Sequence, residues 1–242
     1  MTTSNKFTEF YDQEFQKLDH YHKFPLMMPF VGSHFQQQKK KVLFIGESHY
    51  LPLEYSLHSN AYEWYNNYSQ NDIKPTENNK DVLCWINTRF GPNSGNNQKY
   101  YSRAYSIYRN IDKSILDVFK PDLTDNMFRY VSYYNYFQRP AEAKLSIENN
   151  KIDNEFAIEI FNQLHQIIQF EYVIFASKRA FNAFKSEQNS LKAKISLDNV
   201  FSVPHPGSKW FNKINNSCQI DGVPHNGKDY LKHILLSNKI FE

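Results

Sequence analysis

Four short runs along this chain are built mostly from aliphatic and aromatic residues: KVLFIG at 41–46, FRYVSYYNYF at 128–137, YVIFA at 172–176 and NVFSV at 199–203. A strand wetted on one face alternates apolar with polar side chains, whereas a strand covered on both faces does not. Runs of this kind belong inside a sheet with helices above and below it. The segments between them repeat their apolar residues at helical spacing. The clearest is DNEFAIEIFNQLHQIIQ at 153–169, with Asp153 as N-cap and Phe156, Ile160, Leu164 and Ile167 on one stripe. Strands alternating with helices imply right-handed parallel crossovers. The expected fold is α/β: a three-layer α/β/α sandwich around a central, mainly parallel four-stranded sheet.

The remaining segments fit around this frame. Phe7, Phe10, Phe15 and Leu18 predict an N-terminal helix over 6–20, which Pro25, Pro29 and Gly32 separate from the first strand. Residues 54–68 mix Tyr, Trp and Asn and fit a helix or a lid. Residues 69–80 read as a polar surface loop, 81–90 as helical, and GPNSGNNQ at 91–98 as a loop with turn chemistry. A helix over 100–119 carries Tyr101, Tyr105, Tyr108, Ile111, Ile115 and Val118. Ser177 caps a helix over 178–186, and GKDYLKHILL at 227–236 forms a closing helix. No repeat and no linker divides the chain. Its 242 residues read as a single domain, 1–242, with an aromatic-rich insertion at 54–110.

Charge and cysteine content narrow the function classes. With 28 Lys and Arg against 25 Asp and Glu, the net charge is only +3. That is not the field of a strong, non-specific nucleic-acid binder. Lys39, Lys40 and Lys41 directly precede a buried strand and read as its solvated entry rather than as a phosphate patch. Cys84 and Cys218 form no CxxC pair and no zinc spacing, so a reduced, cytoplasmic protein without a bound metal is expected. Two thiols also cannot hold an iron–sulfur cluster. The opening residues MTTSNKFTEFYDQEF lack an apolar signal region, and no run is long enough to span a bilayer. The expectation is a monomer with no cofactor and no membrane association. Aromatic residues make up 17% of the chain. Most of them fill the core, but the polar-flanked Tyr clusters point to a pocket for planar rings.

In an open parallel sheet, ligands bind beyond the carboxyl ends of the strands. Four loops begin there; one is Ser177-Lys178-Arg179, and the other three concentrate polar residues. The first is Gly46-Glu47-Ser48-His49-Tyr50. Its glycine permits a tight turn and close approach, and Glu47 and His49 supply an acid or a base. The second contains Asn135, whose amide both donates and accepts and so can read the edge of a ring. The third is PHPGSKW, in which Pro204 and Pro206 stiffen His205. A rigid His at a strand end suits hydrogen-bond donation to developing negative charge.

GESHY at 46–50, YYNYF at 133–137 and HPGSKW at 205–210 resemble, in order and spacing, the motifs of the uracil-DNA glycosylase superfamily. YVIFASKRAFNAF resembles that family's strand–Gly–Lys–helix segment, with Ala176-Ser177 in place of the usual Gly. The resemblance spans residues 40–236. It implies a pocket for an extruded base, because the glycosidic bond is unreachable inside a duplex. By the resemblance, Glu47 and His49 stand near the attacking water and His205 stabilises charge on the departing base. Asn135 reads the polar edge of that base, with Gly46, Ser48 and Ser208 also against the substrate, and Tyr50 screens the pyrimidine 5-substituent. Lys209 or Trp210 contacts DNA as a wedge, and one of Tyr62, Trp64 and Phe90 stacks on the base. The implied partner is single- or double-stranded DNA, or another nucleobase-containing ligand. The implied reaction is hydrolysis of the N-glycosidic bond of a damaged base, as in base-excision DNA repair.

The chain departs from the family pattern where the chemistry lies. Ser48 stands where the GQDPY form has its water-activating Asp, and a hydroxyl is not a useful base near neutral pH. Glu47 matches the acidic second position of the GEAPG form. His49 replaces Pro and adds a titratable group, and Gly207 stands where Ser is common. These departures keep open a second function: a non-catalytic module that binds a nucleobase, nucleotide or nucleic acid. A third, a Ser/His hydrolase using Ser48, lacks both the G-x-S-x-G elbow and an orienting acid.

Overall fold

The computed structural model describes residues 6–94 and 105–242. Helices α1 (Asp12–Phe15) and α2 (Asp19–Lys23) lead to strands β1 (Phe30–Val31), β2 (Val42–Gly46) and β3 (Tyr50–Leu51). Helices α3 (Ala61–Asn67), α4 (Val82–Trp85), α5 (Phe90–Ser94) and α6 (Ser106–Val118) follow. The chain continues through β4 (Ser132–Asn135), β5 (Ala141–Glu142), α7 (Lys151–Ile168), β6 (Tyr172–Phe175), α8 (Lys178–Ser186) and β7 (Val200–Ser202). A hairpin, β8 (Asn215–Ile220) and β9 (Val223–His225), precedes the closing helix α9 (Gly227–Ser237).

The main sheet has the order β1-β4-β2-β6-β7, and every pairing is parallel except that of β1 with β4. Side chains along β2 alternate between two cores: Leu43 and Ile45 enter one, Val42 and Phe44 the other. Helix α7 covers the first face with Ala157, Phe161 and Leu164, and α8 adds Ala180 and Phe184. Helix α6 covers the second with Ile111 and Ile115, joined by Leu231 and Ile234 of α9. The result is a three-layer α/β/α sandwich, and it explains the unbroken apolar runs. Each such side chain, fully buried, stabilises the fold by about 1.5–3 kcal/mol.

Four expectations need correction. The sheet has five strands, not four. The additional one, β1, lies inside FPLMMPFVG, where the prolines obscure it; two residues at an edge, directly after Pro29, tolerate that neighbour. The N-terminal helix over 6–20 is instead two short helices. Phe7 bridges Gly32 and the Thr8 N–H donates to Val31 O at 2.9 Å, so the first residues extend the sheet edge rather than coil. Helix α7 is capped by Asn150, not Asp153. Asp153 is its partner in a capping box, accepting the Asn150 N–H at 3.0 Å while its own N–H donates to Asn150 Oδ1 at 3.1 Å. Within the expected 91–98 loop, residues up to Ser94 belong to α5. The rest of that loop and Tyr101 lie outside the described residues.

Strand order also sets where a ligand can enter. The chain leaves β2 toward β4 on one side and leaves β6 toward β7 on the other. Connections diverging from two adjacent strands open a crevice at their carboxyl ends. No described helix is long and apolar enough to cross a membrane.

Candidate functional site

A pocket of about 560 Å³ opens at this crevice. Strand β2 delivers Glu47, β6 delivers Ser177, and β7 delivers Val203, Pro204 and His205. A strap after β5 brings Lys144, Leu145 and Ser146, and β8 brings Asn215 and Ser217. Tyr50 and Trp210 are its aromatic walls.

Beyond Gly46, the pairing of β2 with β4 does not stop. The N–H groups of Tyr136 and Phe137 donate to the carbonyls of Gly46 and Glu47 at 3.1 and 2.9 Å. Those of Ala141 and Ala143 reach His49 and Leu51 at 2.8 and 2.9 Å, where β3 and β5 pair in parallel. GESHY is thus zipped along residues 136–143 rather than free as a loop. Glu47 and Tyr50 are the members that reach the pocket, and the Glu47 carboxylate is held from two sides. Oε2 accepts the Ser177 hydroxyl at 2.7 Å, and Oε1 accepts the Ile147 N–H at 3.3 Å. Ser177 also caps α8, its Oγ accepting the Ala180 N–H at 3.2 Å. A hydroxyl has one proton, and the cap leaves that proton for Glu47. The pair bridges the two strands whose connections diverge.

His205 stands on the far side of the same pocket. Its Nδ1 accepts the Gly207 N–H at 3.1 Å, so in the neutral ring the proton sits on Nε2. Burial pulls the imidazole below its ordinary pKa, with the Glu47 carboxylate acting the other way. The group lining the pocket is a neutral imidazole with an Nε2–H donor. Its loop is fixed by Asn110 Nδ2, which donates to Pro206 O at 2.6 Å. Tyr50 has its phenol pKa raised, first by burial and then by Glu47, and stays protonated at neutral pH. Ser208 lines the pocket with a buried hydroxyl that has no partner among the described residues. Trp210 is 45% exposed. Lys209 is not part of the lining; its ammonium lies 4.6 Å from the Trp210 ring centre.

Other expected site residues lie elsewhere. His49, expected beside the attacking water, is buried. Its Nε2 is 3.0 Å from Thr88 Oγ1, whose hydroxyl donates to Met27 O at 2.9 Å. Burial pushes its pKa down to about 4. Ser48 is buried outside the pocket lining. Asn135 is paired with Gly46 across the sheet and is buried, its Oδ1 accepting the Tyr133 hydroxyl at 3.0 Å. A Cβ on Gly46 would come within 2.2 Å of that oxygen, so the glycine makes room for Asn135 rather than for a ligand. Tyr133 packs edge-on against Tyr108, with ring centres 5.4 Å apart. Tyr50 lies near enough to contribute to the raised phenol pKa values of both, and it alone links this cluster to the pocket among the tyrosines named here. Of the aromatic candidates for stacking, Trp64 lies in the core against Phe24 with ring centres 4.6 Å apart. Tyr62 is exposed and Phe90 packs on Tyr105; neither lines the pocket.

Sequence reasoning missed Ser177 as a carboxylate partner, because the adjacency of β2 and β6 is set by strand order. It set Lys178 and Arg179 aside as part of the least polar strand-end loop, and it missed Lys144. Lys144 had no local signal, because its turn depends on β3 pairing with β5. Among the described residues, no three His, Cys, Asp or Glu side chains converge as metal ligands, and Cys84 and Cys218 are free thiols. Comparison with protein-family models, curated proteins and solved structures found no match to this chain.

Proposed function

We propose that the pocket holds a nucleobase and that Glu47 and His205 hydrolyse its N-glycosidic bond, as a divergent uracil-DNA glycosylase-like enzyme acting on a damaged base extruded from DNA. The observation carrying this reading is that Glu47 and His205, from different strands, line one pocket across the crevice. Hydrolysis of an N-glycoside needs a water held for attack on the anomeric carbon, and help for the negative charge that leaves with the base. A carboxylate suits the first task. A neutral imidazole with its proton on Nε2 suits the second, because it donates to charge as that charge develops. The water oxygen bonds to the anomeric carbon as the bond to the base nitrogen breaks, and the water's proton passes to the carboxylate. Tyr50 and Trp210 offer faces for a planar ring. With Ser48 and His49 buried outside the lining, the role of accepting the water's proton falls to Glu47.

The test uses single- and double-stranded oligonucleotides carrying uracil, hypoxanthine or xanthine, with abasic sites scored by alkaline cleavage. At least one substrate should yield product. Glu47→Gln should abolish the product, and His205→Ala should slow its formation by about 10²–10³-fold. No abasic product at stoichiometric protein would end the catalytic reading. One observation favours a binding-only version: both Glu47 oxygens already accept hydrogen bonds, as in a structural carboxylate. Base-specific binding without product, lost in His205→Ala, would identify that version.

A further inference from the structure

We propose that Lys144, Lys178 and Arg179 form a phosphate-binding rim on this pocket, so that its ligand enters as a nucleotide, free or within a strand, and not as a nucleoside. The inference rests on the functional reading above for the base, but not for the phosphate.

All three cations line the pocket, and they come from two separate elements. Lys144 comes from the turn after β5, and Lys178 and Arg179 from the first turn of α8. Among the described residues, none of the three is in an ion pair. The single carboxylate in the lining belongs to Glu47, which is already engaged by Ser177 and Ile147. The mouth is therefore cationic even though the whole chain carries only +3. Three cations against one carboxylate on a single cavity make a complementary surface for an anion.

The rim is also held in position. The Ile147 peptide sits between Glu47 and Arg179: its N–H donates to Glu47 Oε1 at 3.3 Å, and its C=O accepts from Arg179 Nη1 at 2.6 Å. This clasp ties the strap to α8 and fixes the guanidinium while leaving most of its five N–H donors unspent. Lys144 adopts φ +73°, a left-handed conformation uncommon for a residue with a side chain. It does so inside a tight turn in which the Leu145 N–H returns to Glu142 O at 3.0 Å. The Lys178 ammonium lies 5.1 Å from the Phe181 ring centre. Two point-like ammonium groups and one planar fork suit the oxygens of a phosphate. A volume of about 560 Å³ also leaves room for sugar and phosphate beside a base. A nucleoside would leave the rim charges unanswered.

Calorimetric binding at low and raised salt would compare uridine and inosine 5′-monophosphates with their nucleosides, with ribose 5-phosphate, and with a short oligodeoxynucleotide lacking terminal phosphates. The comparison variant is Lys144→Gln/Lys178→Gln, which among the described residues breaks no side-chain hydrogen bond or ion pair and gives up only the Lys178–Phe181 ring contact, with its melting curve confirming the fold. The monophosphates or the oligonucleotide should bind at least about tenfold more tightly than the nucleosides, an advantage that salt weakens and the double variant removes. A preference for monophosphates over the oligonucleotide assigns the phosphate to a free nucleotide or strand end; the reverse assigns it to the strand interior. Both support the rim. Ribose 5-phosphate binding as tightly as the monophosphates would leave the rim standing and remove the nucleobase. Nucleosides binding as tightly as phosphorylated probes, no binding of any phosphorylated probe, or an unchanged double variant would overturn the proposal.

Discussion

Ser177 Oγ accepts the Ala180 N–H at 3.2 Å and donates to Glu47 at 2.7 Å, so deleting this one oxygen unties both a helix cap and a carboxylate. Ser177→Ala should cost about 1 kcal/mol from the lost cap and should also weaken nucleotide binding. Ser177→Thr, which keeps the hydroxyl, should restore both. If Ala and Thr behave alike in denaturant titration and binding, the hydroxyl does not position Glu47. Gly46 makes a second single-residue case. A Cβ there would lie 2.1 Å from the Tyr133 hydroxyl oxygen and 2.2 Å from Asn135 Oδ1. Gly46→Ala should therefore destabilise the fold by about 1–3 kcal/mol, as overpacking does, lowering the urea midpoint. An unshifted midpoint would mean that the ends of β2 and β4 are looser than these distances imply.

At the scale of elements, the strap that carries Lys144 depends on a buried ion pair. Arg139 meets Asp153 through two parallel bonds, Nε to Oδ1 at 2.8 Å and Nη2 to Oδ2 at 2.6 Å. The remaining capacity is used as well: Arg139 donates to the carbonyls of His58 and Glu148 at 2.6 and 2.9 Å, and Asp153 accepts the Tyr65 hydroxyl at 2.9 Å. One network thus joins the start of α7, the strap, and the segment before α3. Removing one partner strands a buried charge, and Asp153→Ala should cost about 3–5 kcal/mol. The same variant should weaken nucleotide binding under conditions where it remains folded, because the strap is released. A loss of stability with unchanged binding would separate the clasp from the pocket.

For the molecule as a whole, buried histidines govern the response to acid. Burial is the main cause that pushes His20 down to about 3 and His49 to about 4, from 6.5. Unfolding lets each take up a proton once the pH drops below 6.5, whereas the folded chain refuses it. Each then withdraws about 1.4 kcal/mol of stability per pH unit until its folded pKa is reached. Asp112 acts in the opposite sense. Burial raises it from 3.8 to about 6, against a Met127 N–H bond, so its contribution is lost as pH rises through that interval. Two histidines outweigh one carboxyl between those limits, and denaturant titrations should show stability falling from near pH 6.5 toward pH 4. A flat profile would contradict neutral histidines in the core.

How much of this was legible depended on how local each signal was. The runs at 41–46, 128–137 and 172–176 hold the interior strands β2, β4 and β6, because few other settings bury such residues on both faces, whereas 199–203 holds β7, a half-buried edge strand. Strand β1 escaped because two residues beside Pro29 carry no period. Glu47 and His205 were readable because parallel strands present their following loops at one edge. The directions of His49 and Asn135 were not, because past a strand end a side chain turns according to the segment zipped beside it, here 136–143. From the sequence alone come the layered α/β class, the three interior strands and the sheet edge at which the pocket opens. Tertiary structure decided the strand order, the diverging connections, and the meeting of Ser177, Ile147 and Arg179 around Glu47. Periodicity is carried by neighbours along the chain, whereas those contacts join atoms that only a crossover beneath the sheet brings within a few ångströms.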